Sequence, residues 1–265
     1  MGNDVGFVMQ TGQMFSGTGT ELRVGGVSIP PLTPGRMPMM TNTGGNGVTL
    51  ADNTTVQGLF INDPTGTGIT GALGITNVVI SSNHIVTTLS TVISLPSAQG
   101  SHIVESNTIN SDGIGILMSG QNRFQQVEVR NNNVSTAAAA AVQIFNSAIH
   151  GNNMIIEDNI LTTTGSAVAF FDVSASAPTQ VLQIHRNSFM GQMFFSKPVP
   201  GDVCLFLTSN SGPAYNLQNT GGGTFQLRSS SQAAFEAANT VVLPGAGFLY
   251  TPGPSSFLFS SSPCP

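Results

Sequence analysis

Charge is what this sequence has least of. Asp, Glu, Lys and Arg make up 7% of its 265 residues, where an ordinary soluble domain carries roughly 25%. It has one lysine, Lys197, and no tryptophan. Seven bases against twelve acids leave a net charge of -5. That cannot build a basic stripe, so a nucleic-acid partner is not expected. No apolar run approaches the ~18 residues of a membrane-spanning helix, so no membrane span is expected. The opening MGNDVGFVMQ lacks a basic segment followed by an apolar one and does not read as a signal peptide. An exported protein with this start would be a mature or trimmed form. Spacings of the HxxxH, CxxC, P-loop or GxSxG kind are missing. GTGITG (66–71) is followed by no helical pattern that would make it an anion site. Neither a metal nor a cofactor is expected. Cysteine is limited to Cys204 and Cys264, which read either as one disulfide tying the tail to the body or as two unpaired thiols.

What the chain has instead is glycine, hydroxyls, amides and enough apolar side chains, 40%, for a core. A surface of neutral hydroxyls and amides suits an exported or self-associating protein. The pattern inside that composition is a repeat. MIIEDNIL (154–161) alternates apolar and other residues, then reaches an asparagine and one more apolar slot. The same register recurs in VVISSNHI, HIVESNTI, VEVRNNNV, LQIHRNSF and LFLTSNSG, and upstream in VTLADNTT. The asparagines are Asn53, Asn83, Asn107, Asn132, Asn159, Asn187 and Asn210, spaced by 30, 24, 25, 27, 28 and 23 residues. A period in that range marks a solenoid or array. Each unit holds a strand of period two, a polar turn and a second short strand. A third apolar stretch often follows, as in GIGILM (113–118) and AVQIF (141–145). No segment carries a convincing helical stripe.

About 25 residues with three short strands fit one turn of a parallel β-helix. On its asparagine column and flanking Ile/Val slots, the stretch 47–212 resembles the right-handed parallel β-helix proteins of the pectin-lyase-like superfamily. The expectation is an all-β solenoid of roughly seven to nine coils. Residues 1–46 would form a cap with an early irregular coil, and 213–265 a last coil with a capping tail. Coils stack about 4.8 Å apart, so an inward asparagine at one bend of every coil can donate its amide to the asparagine of the next. The resemblance says little about activity, because lyases, hydrolases, epimerases, tailspikes and adhesin segments share the fold.

Counting from the asparagine column assigns an outer strip. Two residues before it stand Ser81, Glu105, Arg130, Glu157, His185 and Thr208. One before stand Asp158 and Arg186, and four before stands Glu128. The strip reads as exposed ion pairs worth roughly 0.2–1 kcal/mol each, as a polysaccharide-binding surface, or as a catalytic pair. Glu105 and Glu157 sit two coils apart, about 9.6 Å, near the upper end of the roughly 6.5–9.5 Å carboxyl separation of inverting glycosidases. Arg130 between them argues against a general acid. His84 reads as outward, His102 as a core-edge residue in an apolar slot, and His150 as a loop residue. These readings lead to a non-enzymatic, exported surface or fibre-type protein, extracellular or on a cell surface, with a homo-oligomer or filament as a partner state. The alternative is a carbohydrate-active enzyme, or a tailspike or passenger segment, holding a polysaccharide along Glu105, Glu128, Arg130, Glu157, Asp158, His185 and Arg186.

Overall fold

A computed structural model describes residues 6–262 except 18–21, 25–26, 30–36, 89, 120–123, 138–139, 146–148, 166–168, 173–179, 199 and 243–246. Three parallel sheets run along one stack, with ten, ten and nine strands. One coil shows the plan. Ile93–Pro96 lies in the first sheet, Gln99–Glu105 in the second and Thr108–Ser111 in the third. The next coil repeats it with Ile116–Ser119, Phe124–Arg130 and Asn133–Thr136. About seven coils are regular, and the fold is the expected all-β parallel solenoid.

Strands of the regular coils show the period-two pattern of their sequence, as in Ile93–Pro96 and Thr108–Ser111: one face packs inward and the other meets solvent. In the second sheet Val56, Ile80, Val104, Val129, Ile156, Ile184 and Leu207 stand in register on successive coils, and all are buried. In the third sheet the inward column is Ile61, Ile85, Ile109, Val134, Leu161 and Phe189. The next level holds Gly212. A Cβ there would stand 2.1 Å from the Phe189 ring. The large ring of one coil therefore fixes the smallest residue on the next, which is why LFLTSNSG ends in glycine.

The bend between second and third sheets has a two-residue recipe. Ser82, Ser106, Asn131, Asp158, Arg186 and Ser209 all have φ between 53° and 57°, the left-handed region that most side chains avoid. The next residue is the inward asparagine. Its Nδ2 donates to the Oδ1 of the asparagine one coil on: Asn83 to Asn107 at 3.1 Å, Asn107 to Asn132 at 3.0 Å, Asn132 to Asn159 at 3.0 Å. Asn159 to Asn187 and Asn187 to Asn210 follow at 2.9 Å. The same Oδ1 accepts a backbone N–H, as from Asn107 to Asn132 at 3.0 Å. The second amide hydrogen goes to a backbone carbonyl of the preceding coil, as from Asn132 to Val104 at 2.8 Å. Every donor and acceptor of the buried amide is thus engaged, which is the condition for a polar group in a core.

The ladder differs from the expected set at both ends. Asn53 is not a rung. It is exposed at the bend from first to second sheet, where its Oδ1 accepts from Asn77 Nδ2 at 3.0 Å. The VTL before it belongs to a first-sheet strand, Val48–Leu50, so the matched pattern sits on a different side of the coil. Leu59 holds the rung position instead, giving only its backbone N–H to Asn83 Oδ1 at 3.1 Å. At the other end Asn239 adds a rung, accepting from Asn210 Nδ2 at 3.0 Å. A short helix, Gln232–Ala237, precedes it, with the Ser231 side chain accepting from Ala234 N at the start. That inserted helix hides the rung from a strand-based pattern. Asn239 closes the ladder by donating to Leu207 O and Phe235 O.

The chain flanking 47–212 continues the sheets. Phe7–Val8, Met14–Ser16 and Met39–Met40 each add an outer strand, and Ala214–Asn219, Phe225–Leu227, Thr240–Val241, Phe248–Thr251 and Leu258–Phe259 extend the other end. The C-terminal end closes on rings. Phe235 plugs the core and packs edge-on to Phe248, while Tyr250 meets Phe257 at 5.4 Å. Lys197 is fully buried there, donating to Asn219 Oδ1 at 3.2 Å and to Gly222 O. Burial lowers its pKa, opposed by the charge of Asp202. Cys204 is buried and disulfide-bonded. The other cysteine, Cys264, lies outside the described residues. His150, expected in a loop, belongs to the strand Ile149–Glu157.

His102 occupies an apolar column between Val78 and Val127. It is fully buried, with Nε2 2.7 Å from Gln99 O. Desolvation pushes its pKa down to about 4, against a smaller upward pull from that carbonyl.

Asn132→Leu should destabilise the protein by about 1–3 kcal/mol, because the amide of Asn107 and the carbonyl of Val104 lose their partner. Asn53→Gly, which keeps the left-handed backbone of this exposed position (φ 55°), should cost clearly less, about 0.5 kcal/mol. Denaturant titration of both variants is the check, and equal effects would refute the buried ladder. For His102 the unfolded chain takes up a proton below pH 6.5 while the folded chain stays neutral to about pH 4. Stability should therefore fall with acid across that window, by about 3 kcal/mol in full. His102→Leu should flatten this part of the pH–stability curve. Parallel thermal-midpoint curves for the two proteins would contradict it.

Candidate functional site

The outer face of the second sheet carries the charged strip. Register places Ser81, Glu105, Arg130, Glu157, His185 and Thr208 opposite one another on consecutive coils. A parallel in-register stack repeats one side-chain position at every coil, so residues some 25 apart in sequence become neighbours. The strip resolves into two closed clusters.

In the first, Arg130 Nε donates to Glu105 Oε2 at 2.8 Å and Nη1 lies 3.1 Å from Glu128 Oε2. Glu128 also accepts from the Gln126 amide and is nearly buried. The Glu105 hydrogen bond, with the charges of Glu128, Glu105 and Glu157 behind it, raises the Arg130 pKa against the pull of desolvation. In the second cluster, Arg186 forks onto Asp158, Nε to Oδ1 at 2.8 Å and Nη2 to Oδ2 at 2.7 Å. Nη2 also reaches Glu157 Oε2 at 2.8 Å. The bidentate bond holds Asp158 below its ordinary carboxylate pKa. The shared column suggests that Arg130 pairs with Glu105, with Glu157 or with both, and the pairing formed is the one with Glu105. Glu157 touches Arg186 and reaches Arg130 only through its charge. The reason is the left-handed bend, which sets residue 186 beside the end of the preceding strand.

His185 stands beside these clusters. Its Nδ1 is 2.7 Å from Thr208 Oγ1, and its ring meets the Phe206 edge at 4.9 Å. Arg228 covers the same Phe206 ring at 5.4 Å. Desolvation first, then the Arg186 charge, lowers the His185 pKa, while Glu157 and Asp158 oppose the shift. The strip thus brings all seven expected residues to one face, but each carboxylate is already gripped by an arginine. Among the described residues no three His, Cys, Asp or Glu converge in a way that would hold a metal ion.

The second short strand expected after each asparagine is the strand of the third sheet, but the repeat pattern assigned no role to its polar positions. The inner edge of this sheet carries a hydroxyl column, Thr87, Ser111, Thr136 and Thr163, with Thr87 Oγ1 3.0 Å from Ser111 Oγ. Outside that column runs a groove of about 360 Å³ over four coils, lined by residues including Val86, Asn110, Ser135 and Thr162. The signal was present in the sequence as Ser, Thr or Asn at many of the positions one and three after a rung, as at Thr108, Asn110, Asn133 and Ser135. Only the stacked register shows that these positions form one surface.

No family model, curated protein or solved structure matches this chain.

The two arginines should differ in weight. Arg130→Ala leaves nearly buried Glu128 without its cation and should destabilise by about 1–2 kcal/mol. Arg186→Ala exposes carboxylates already open to water and should produce a clearly smaller shift. Thermal denaturation at low and high salt is the measurement. A larger loss for Arg186→Ala would show that the clusters are weighted the other way.

Proposed function

We propose that this chain is a non-enzymatic, exported surface or fibre-type solenoid that acts through its long sides. The observation that carries the reading is the closure of the charged strip. A general acid needs a carboxyl free to hold and hand over a proton, and Glu105 and Glu157 are each held in a 2.8 Å ion pair. The strip then serves as a lateral staple between coils. The ten-strand stack spans roughly 43 Å at about 4.8 Å per coil, a long repeating body of few charges. The disulfide at Cys204 supports an oxidising compartment, in line with export. Edge strands end each sheet, and low charge favours lateral or end contacts between copies.

Incubation with a panel of neutral and acidic polysaccharides should release no new reducing ends and no unsaturated products. Either product would overturn the non-enzymatic reading in favour of a carbohydrate-active enzyme. Analytical ultracentrifugation should show mass rising with concentration above the 27.4 kDa chain, and one species of chain mass throughout would remove self-assembly from the proposal.

A further inference from the structure

The third sheet differs from the second in one respect that bears on binding: many of its outward polar groups bond nothing among the described residues. None of its nine strands contains Asp, Glu, Lys or Arg. Its outward residues form two columns. One is Phe60, His84, Thr108, Asn133, Ile160 and Ser188, and the other is Asn62, Val86, Asn110, Ser135, Thr162 and Met190. The side chains of Thr108, Asn110, Asn133, Ser135, Thr162 and Ser188 make no hydrogen bond within the described residues. On the second sheet, by contrast, the charged groups bond one another at 2.7–3.1 Å.

Apolar groups interrupt these columns. Ile160 is 53% exposed and Met190 67%. At the N-terminal end, Phe60 and His84 pack ring against ring at 4.9 Å. The groove of about 360 Å³ follows the second column across four coils, with Asp112 as the one carboxylate on its lip. An uncharged ligand suits this face best, since its strands hold no Asp, Glu, Lys or Arg to neutralise a charge. The ligand must also offer many hydroxyls to unengaged amides and hydroxyls, and present apolar ring faces to Phe60, His84, Ile160 and Met190. Finally, it must be a chain, because the face repeats about every 4.8 Å along the stack.

We infer that the outer face of the third sheet, along Asn110, Ser135 and Thr162, binds a neutral, unbranched polysaccharide lying parallel to the solenoid axis. This rests on the reading of the protein as acting through its long sides, and it moves the glycan surface away from the charged strip. Affinity gel electrophoresis of the whole chain tests it, with a mixed-linkage glucan, a mannan and a galactan as neutral probes and polygalacturonate as the acidic one. At least one neutral probe should retard the protein, and raising the ionic strength should leave that retardation unchanged, because no charges are screened. The pair Asn110→Asp and Thr162→Asp should weaken binding about tenfold or more, about 1.4 kcal/mol at that ratio. Asn110→Ala with Ser135→Ala should weaken it without adding charge. Arg186→Ala, on the other sheet, should leave it intact. Unchanged thermal midpoints keep the exposed-face variants interpretable.

The inference fails if no neutral probe retards the protein, if polygalacturonate alone does, or if the third-sheet variants bind like the parent. It fails also if those variants instead abolish a concentration-dependent dimer, because the face then belongs to a second copy. Release of reducing ends with binding intact would sink the non-enzymatic reading and leave this site standing, so the two failures are separable.

Discussion

One buried carboxamide per coil holds this molecule in register. An asparagine side chain in an apolar core is costly unless all its hydrogen-bonding groups are engaged. Here the Oδ1 of each rung, and most of what its Nδ2 donates to, are engaged by the coils above and below. Shifting one strand by a single residue would break two rungs and turn an apolar column to solvent. The ladder therefore converts a weakly specified stack of short strands into one with a single register. The left-handed residue before each rung belongs to the same device. Its φ turns the chain between sheets, and its own N–H still reaches the next coil, as from Ser106 to Arg130 O at 3.0 Å.

The strand stack then dictates where charge can go. With most inward positions filled by apolar side chains or a rung, the ionic groups other than Lys197 lie mainly in outer columns, where successive coils set them side by side. Glu105 and Arg130 meet because they hold the same position on adjacent coils. The clusters bridge coils and use most of the charge on that face. The ends obey different rules. At the N-terminal end Leu59 stops the ladder with a backbone N–H alone. At the other end a helix and an aromatic plug finish the stack. Ends cannot repeat the coil, because one side of their strands has no neighbour.

Much of this was legible in the chain. Period-two apolar slots ahead of an asparagine, repeated about every 25 residues, point to a parallel solenoid, since a stack of coils puts identical positions in one column. Counting from that asparagine also placed the seven strip residues on one outer face. Side-chain pairing was harder to read. Glu157 stands as near in sequence register to Arg130 as Glu105 does, yet it bonds Arg186, because the φ of 53° at residue 186 swings that guanidinium towards the preceding coil. Asn53 and Asn239 failed for a related reason. The local pattern cannot say which side of the coil a strand occupies, and an inserted helix removes the strand that would announce a rung.

The order of residues was enough for the period, the core columns and the chemistry of the rungs, because these depend on alternation within a single coil. Folding was needed to settle which coil-to-coil neighbours pair, where the ladder begins and ends, and which face keeps its polar groups unengaged. Those outcomes depend on positions about 25 residues apart being brought to strand spacing. One coil carries no record of what the next coil will place beside it.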